Sequence, residues 1–506
     1  MATEPITLNY PTLLLILSPL IIFFLIRIFN PWRRRRNPQN LPPSPPKLPV
    51  IGHLHHLLGG LPHQVLARLS RKYGRVLLLH LGEISTVVIS SPAAAKQVLK
   101  DQDPACADRP KTIGLEIMWY NYSDLAFCPY NDQWRQLRKI CVLELLSSKN
   151  VKSFGYIRED EASHLISTVQ SFAASREAIN LTETILRFSS SVICRAALGK
   201  DQTANGDALI EMMKKALSMA GGFELADLFP SSKLLNLLCL NKYRLMWMHR
   251  KLDSILDDIV DEHKLRKGGE YGGEDIVDAM LRINRSEDGQ DSISKDNIKA
   301  IIFDMFSGGT ETTSTTIDWA MAELMKNPRV MAKAQAELRE ILKEKKTINS
   351  GDIEEMKYLK LVIKETLRLH PPMPLLPRAC RDKCMVNGYS IPLKSKILVN
   401  VWAIGRDHEY WDEAEMFKPE RFEDSSRDFF GNNFDYLPFG TGKRICPGIN
   451  FGLANVELPL ARLLYHFDWR MPDGMEENEI DMTEGSGITV SRKNDLFLVP
   501  LLANAP

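Results

Sequence analysis

Apolar residues recur every three to four positions through most of the middle of this chain. That spacing lines one face of an α-helix, whose side chains repeat about every 3.6 residues. It predicts helices over residues 158–172, 208–219, 243–266, 298–324, 327–342 and 359–369. Strand-like runs are few and short: 76–81 and 86–89, either side of Gly82-Glu83, and in the tail 488–490 and 496–502. The glycine-rich stretch at 267–274 reads as a loop. No internal repeat is present from about residue 54 onward. The pattern predicts a mainly α protein with small β-sheets, in one large domain.

The N-terminus breaks the amphipathic pattern. Residues 13–29 are almost wholly apolar, and with 8–12 they approach the roughly 20 residues that span a bilayer. Arg33, Arg34, Arg35 and Arg36 follow, and the positive-inside rule keeps them cytoplasmic. A cleaved secretory signal would carry its charge before the apolar run and a small-x-small site after it. The expectation is therefore a retained N-terminal transmembrane helix, with residues 1–32 as membrane anchor. Pro19 lies inside it, which membranes tolerate. Residues 33–52 join the four arginines to Pro42-Pro43-Ser44-Pro45-Pro46, a basic and proline-rich hinge. Repeated proline favours a stiff polyproline-II segment that sets the orientation of the domain that follows, residues 53–506.

Composition adds limits. With 44% apolar and 25% charged residues in 506, the chain is globular, with ample material for a core. A formal net charge of +1 gives no reason to expect a nucleic-acid partner. The eight cysteines are scattered without a Cys-x-x-Cys or zinc spacing, which fits a reduced, cytosol-facing chain. The sequons at Asn121 and Asn180 are then expected to be unused.

One cysteine stands apart. Pro438-Phe439-Gly440-Thr441-Gly442-Lys443-Arg444-Ile445-Cys446-Pro447-Gly448 places it on a tight glycine-rich loop. The thiolate is the ligating form, and Arg444 and nearby backbone N–H groups can stabilise its charge. An arbitrary cysteine in such a turn is more often buried and inert; here other motifs accompany it in order. The pattern Phe-x-x-Gly-x-Arg-x-Cys-x-Gly resembles the haem-binding loop of the cytochrome P-450 superfamily, in which a thiolate ligand favours O–O cleavage. The resemblance implies the cytochrome P-450 fold, haem b (iron protoporphyrin IX), Cys446 as axial ligand of the iron, and cofactor contacts from Phe439 and Arg444. Lys443 stands where many plant members carry arginine, which keeps the charge.

Three further constellations carry the resemblance across the chain. Phe306-Ser307-Gly308-Gly309-Thr310-Glu311-Thr312-Thr313-Ser314 weakens its own helix. Its glycines would let a ligand approach the backbone, and a hydroxyl lacking a backbone partner could bond dioxygen. A close helix–helix contact would use the same small residues. The segment resembles the family's Gly-Gly-x-acid-Thr motif, which implies catalytic roles for Thr312, in proton delivery, and for Glu311, the acid connecting it to solvent. Glu365 and Arg368 share a helix face and can pair; in the family such a pair joins a downstream arginine, here Arg421, in a structural role. Trp134 and Arg138 lie one helical turn apart, and both can reach an anionic ring substituent. The resemblance assigns them to the haem propionates, with Arg378 and Arg444 completing the set.

The resemblance is to plant microsomal members, and within them to the clade that oxidises terpenoids and alkaloids. It implies a monooxygenase on the endoplasmic reticulum membrane, single-pass, with its catalytic domain cytosolic. The resemblance further implies electrons from NADPH through a separate flavoprotein, NADPH-cytochrome P-450 reductase. The co-substrate is O2. Candidate pocket residues are Ile113, Ile117, Met118, Ile301, Met305, Pro372, Leu375 and Ile488. All are apolar, which suits a small hydrophobic plant metabolite such as a sesquiterpene or diterpene. Alternatives are an alkaloid or flavonoid substrate, a haem-thiolate isomerase or dehydratase, and a non-enzymatic haem carrier.

Overall fold

The computed structural model describes residues 40–503 except 200–203, 220–223, 266–273, 286–292, 344, 346–347 and 477–478. The expected anchor at 1–32, the arginines at 33–36 and most of the loop at 267–274 lie outside the described residues. Among the described residues no helix is long and apolar enough to cross a membrane.

The helices that frame the site are α1 (Pro62–Tyr73), α2 (Ile113–Met118), α3 (Asp132–Ile140), α4 (Gly155–Ser175), α5 (Leu181–Leu198) and α6 (Ala204–Met219). They continue with α7 (Leu240–Leu265), α8 (Ile276–Arg285), α9 (Lys295–Lys326), α10 (Pro328–Leu342), α11 (Lys357–Leu369) and α12 (Ile449–His466). Every helix expected from the apolar period is present. The 32-residue α9 is the axis of the fold. It starts at a capping box, in which the Ser294 hydroxyl accepts from Asn297 N–H and the Asn297 side chain accepts from Ser294 N–H. It then runs unbroken through Gly308 and Gly309 and packs along α5, α11 and α12. Burial on nearly all sides outweighs the poor helix propensity of its middle.

Strands β1 (Val76–Leu81), β2 (Ile84–Ile89), β4 (Leu375–Ala379) and β7 (Lys396–Asn400) form one sheet in the order β1-β2-β7-β4. The β2–β7 pair is parallel, in the register Thr86↔Lys396 to Ile89↔Val399. β3 (Ile179–Asn180), β9 (Phe497–Leu502) and β8 (Phe467–Arg470) form a second sheet, and β5 (Cys384–Val386) with β6 (Tyr389–Ile391) a two-stranded third. The tail strand at 496–502 is thus present as β9. The expected strand at 488–490 is not: Val490 N–H bonds Pro372 O (2.8 Å) in a bend that Gly485 closes onto Ser491 O (2.7 Å). Val490 is buried there and Ile488 packs against the core. The proline-rich stretch lies on β1, where Leu78 N–H bonds Pro43 O (2.9 Å).

Candidate functional site

The cysteine loop is held from both ends. Cys446 N–H bonds Phe439 O (3.0 Å), which closes the turn. Gly442 has φ +71°, and a Cβ there would stand 2.1 Å from Leu99 O, so only glycine fits. The Lys443 N–H donates to the Asp103 carboxylate, while the Lys443 side chain points outward and is exposed. Burial raises the pKa of the Cys446 thiol; the Gly448 N–H and the Arg138 charge work against that. Both stabilise a thiolate once a cation shares the site.

Arg444 anchors the loop to a distant part of the chain. Its Nε donates to Ala107 O (2.9 Å), its Nη1 to Leu125 O (3.2 Å), and its Nη2 to Cys128 O. Its guanidinium lies 4.5 Å from the Trp134 ring centre. The Trp134 indole N–H, expected to reach an anionic substituent, instead donates to Leu125 O at 3.1 Å. Trp134 therefore orders the cradle from behind. Arg138 lies on the same helix, and among the described residues no carboxylate pairs with it. Phe439 packs its ring edge-on against Phe429 (5.7 Å).

Arg378 sits in β4 at 2% exposure. Its Nε has no partner, and its other nitrogens reach only Pro377 O (3.2 Å) and Thr441 O (3.5 Å). Arg109, which sequence reasoning missed, joins it: Nε donates to Ala126 O (2.8 Å) and Nη1 to Pro377 O. Burial first, then the charges of Arg378 and Arg444, push the Arg109 guanidinium well below its usual range. Burial likewise lowers Arg378 and Arg444 to about 10. Buried cations facing one another and answered mainly by backbone carbonyls want an anion.

Helix α9 contributes an open face. Gly308 is exposed in the middle of this otherwise buried helix, and nothing lies within 4 Å of where its Cβ would stand. Gly309 instead faces α5, where a Cβ would stand 2.4 Å from Ile193 Cδ1. The two readings of the motif thus divide between two residues: Gly308 borders open space and Gly309 is the close helix contact. Thr312 Oγ1 does find a backbone partner, donating to Gly308 O at 2.6 Å. Burial raises the Glu311 pKa, opposed by the Lys214 charge and by a hydrogen bond from Thr489.

The pocket candidates separate by exposure. Ile113, Ile117, Met305, Leu375 and Ile488 keep open surface, whereas Met118 and Ile301 have none and Pro372 is buried. The loop carrying α2 is fastened to α9 by Asp304, the second residue that sequence reasoning missed. Its carboxylate accepts from Trp119 Nε1 (2.9 Å), Leu125 N–H (2.8 Å) and Ala126 N–H (3.2 Å). Even so, burial raises its pKa to about 6, and burial together with the Asp304 charge raises Asp124. Tyr120, Asn121 and Tyr122 all have positive φ, between 49° and 62°. Such a run costs roughly 1–2 kcal/mol per residue and stands because Asp304, and Thr112 bonded to the Tyr122 hydroxyl, fix both ends.

A thiol on a rigid loop, a cluster of buried cations short of an anion, and a helix face with space beside a glycine fit a flat, anionic, metal-bearing group. Cys446 would hold the iron, and Arg109, Arg138, Arg378 and Arg444 would meet the carboxylates of haem. The family model described as Cytochrome P450 matches residues 42–499. The chain belongs to the cytochrome P450 family. The cytochrome is 56% identical over 479 residues to Cytochrome P450 71D95 of Mentha spicata, covering 95% of this chain and 96% of that one. It is 53% identical over 499 residues to Cytochrome P450 71D181 of Origanum vulgare, covering 99% of each. Among solved structures, a zebra fish cytochrome P450 with progesterone superposes with a TM-score of 0.75 at 25% identity, covering 88% of this chain and 100% of that chain. The cytochrome is a haem-thiolate monooxygenase with the P-450 fold and haem b as its cofactor.

Proposed function

We propose that this cytochrome hydroxylates a small hydrophobic plant metabolite, a terpenoid of the sesquiterpene or diterpene class, with electrons from NADPH passed on by a flavoprotein reductase. The observation that carries the substrate class is the chemistry of the open pocket side chains. Ile113, Ile117, Met305, Leu375 and Ile488 keep free surface, and all five side chains are apolar. Such a lining orients a hydrocarbon by shape and rejects substrates that need a buried polar partner.

Haem, when bound, supplies oxygen activation; the protein supplies position, exclusion of water and protons. Cys446 offers the ligating sulfur, and the Gly448 N–H and the Arg138 charge favour its thiolate. Glu311 is held by burial as a carboxyl that keeps a proton at higher pH than an ordinary glutamate. Thr312 parks its hydroxyl on Gly308 O, beside the open face of α9. Turning it away from that carbonyl presents Oγ1 to the space, one residue from the Glu311 proton store. In this reading Thr312→Ala leaves NADPH use intact and diverts it into peroxide; unchanged coupling of NADPH to product would remove Thr312 from the relay.

The location supported best is the endoplasmic reticulum membrane, with residues 1–32 as anchor, 33–52 as hinge and 53–506 as a cytosolic catalytic domain. Leu225, Leu234, Leu237, Leu238, Leu240 and Trp247 are exposed, as are Leu48, Val50, Ile51 and Leu58 near the hinge. Both groups flank the β1–β2 turn: Glu83 N–H bonds Leu228 O (2.8 Å), and Gly52 pairs with Leu81. An apolar face where an anchor enters suits a bilayer surface.

The test is NADPH-dependent turnover in microsomes with a plant reductase, against terpenoids, alkaloids and flavonoids, read by mass spectrometry. One added oxygen on a terpene skeleton supports the proposal. Turnover of phenolics or alkaloids alone overturns the substrate class, and rearranged or dehydrated product without added oxygen overturns hydroxylation.

A further inference from the structure

Three thiols with no part in the chemistry above meet in the core beside β4 and β7. Cys106 ends the short turn Asp103–Cys106, Cys380 follows β4, and Cys384 opens β5. All three are buried and unbridged. Cys106 Sγ lies 3.5 Å from Cys384 Sγ, and Cys380 Sγ lies 3.9 Å from that same sulfur. A disulfide is about 2.05 Å long, so the first pair stands about 1.5 Å from bonding, a gap that small side-chain rotations can cover.

Two features give access. A surface groove of about 640 Å³ is lined by Gln102, Pro104, Ala105, Arg381, Asp382 and Lys383, among others. These residues directly precede Cys106 and fill the interval between Cys380 and Cys384. The β5–β6 pair is a two-stranded sheet of three residues per strand, with Met385 exposed, and it is tied to the preceding turn chiefly through the Gln97 and Gln102 side chains. Such a hairpin is marginal by itself and opens locally at low cost.

We propose that Cys106 and Cys384 form a modification site, a dithiol that hydrogen peroxide converts into a disulfide. One thiol takes an oxygen atom from the peroxide and becomes a sulfenic acid, releasing one water. The second thiol attacks that sulfur and displaces the second water. Two thiols and one peroxide thus give one S–S bond and two waters, with two electrons passing from sulfur to oxygen.

The closed site is quiet. The S–H bond with Cys106 first, and burial as well, push the Cys384 thiol up to about 12. Its bond to Cys384, then burial, raises Cys380 too. Thiols held in that form react slowly, so opening of the β5–β6 hairpin gates the oxidation. The bridge would bear on the haem loop, because Asp103 accepts the Lys443 N–H and Ala107 O accepts Arg444 Nε. It would join positions 278 apart in sequence and so restrict the unfolded chain strongly.

The test uses the full-length, haem-loaded protein, reduced, freed of reductant and exposed briefly to hydrogen peroxide. Free thiols are then blocked with N-ethylmaleimide under denaturing conditions, and the digest is read by mass spectrometry. The proposal expects a linked peptide pair carrying Cys106 and Cys384, lighter by two hydrogens than the reduced pair. It also expects the unfolding midpoint to rise by about 2 °C or more on oxidation, and not in Cys106→Ala. Cys194→Ala, outside the trio, should keep both effects, so a general loss of folding is told apart from loss of the site. Full maleimide labelling of Cys106 and Cys384, their conversion to sulfinic acid, or a bridge between other cysteines would each overturn it.

Discussion

A methyl group added at Gly308 meets nothing within 4 Å, whereas one added at Gly309 stands 2.4 Å from Ile193 Cδ1. Neighbouring glycines should therefore fail in opposite ways. Gly308→Ala gains about 1 kcal/mol of helix propensity and keeps the fold, but its methyl occupies the open space. The expected result is an unchanged or higher unfolding midpoint with weaker substrate-induced spectral shifts. Gly309→Ala must push Ile193 aside and should cost about 1–3 kcal/mol, read by thermal unfolding, with spectral shifts near normal in the protein that folds. Sequence alone could single out this glycine pair but could not say which one bordered the ligand, because that depends on what α5 places alongside. The cysteine loop was legible because its residue types and spacing are dictated locally. Arg109 and Asp304 were not, because their partners, backbone groups apart from the Trp119 indole, lie in remote parts of the chain, which leave no pattern around either residue.

Elements are tied together by one carboxylate. On α11, Glu365 accepts from Arg368 through Nε (2.7 Å) and Nη2 (2.8 Å), from Arg421 Nε (2.9 Å), and from Lys418 N–H (2.8 Å). Arg368 also donates to the carbonyls of Gly405, Ala414 and Met416. The Glu365 and Arg368 side chains are 0% exposed, so Glu365→Ala would strand two buried cations and cost about 3–5 kcal/mol. The expected outcome is little haem-loaded protein, measured as the ratio of haem absorbance to protein absorbance. On α12, burial raises the Glu457 pKa from 4.5 to about 7. A carboxyl raised on folding stabilises the native state below its unfolded pKa, and that contribution is lost as pH climbs through the folded value. Glu457→Gln should then raise stability at pH 8, with the gain fading toward pH 4.5, as followed by unfolding midpoints across that range. Although α1 and α8 were passed over, helices α4, α6, α7, α9, α10 and α11 were legible from their period. The helices α5 and α12 were not, since both are buried on several faces and show no single apolar stripe. The strands between residues 375 and 400 are too short, and Pro377 too disruptive, to announce themselves.

On the scale of the whole molecule, one exposed apolar face gathers the hinge and the segment between α6 and α7 on either side of the β1–β2 turn. A chain lacking residues 1–32 should still float with phospholipid vesicles, and Leu237→Glu with Leu240→Glu should reduce the floating fraction severalfold. Failure of the truncated chain to float would assign membrane contact to residues 1–32 alone, and equal flotation of the leucine variant would remove Leu237 and Leu240 from the contact. Inside the molecule, Leu125 links distant parts: its carbonyl accepts from both Trp134 and Arg444, and its N–H goes to Asp304. For chimaeras assembled from relatives, that one peptide unit marks where a crossover can fall. On the substrate reading proposed above, residues 113–118 can be exchanged as a specificity cassette, whereas residues 124–128 must travel with α3 and the cysteine loop as a single inherited block.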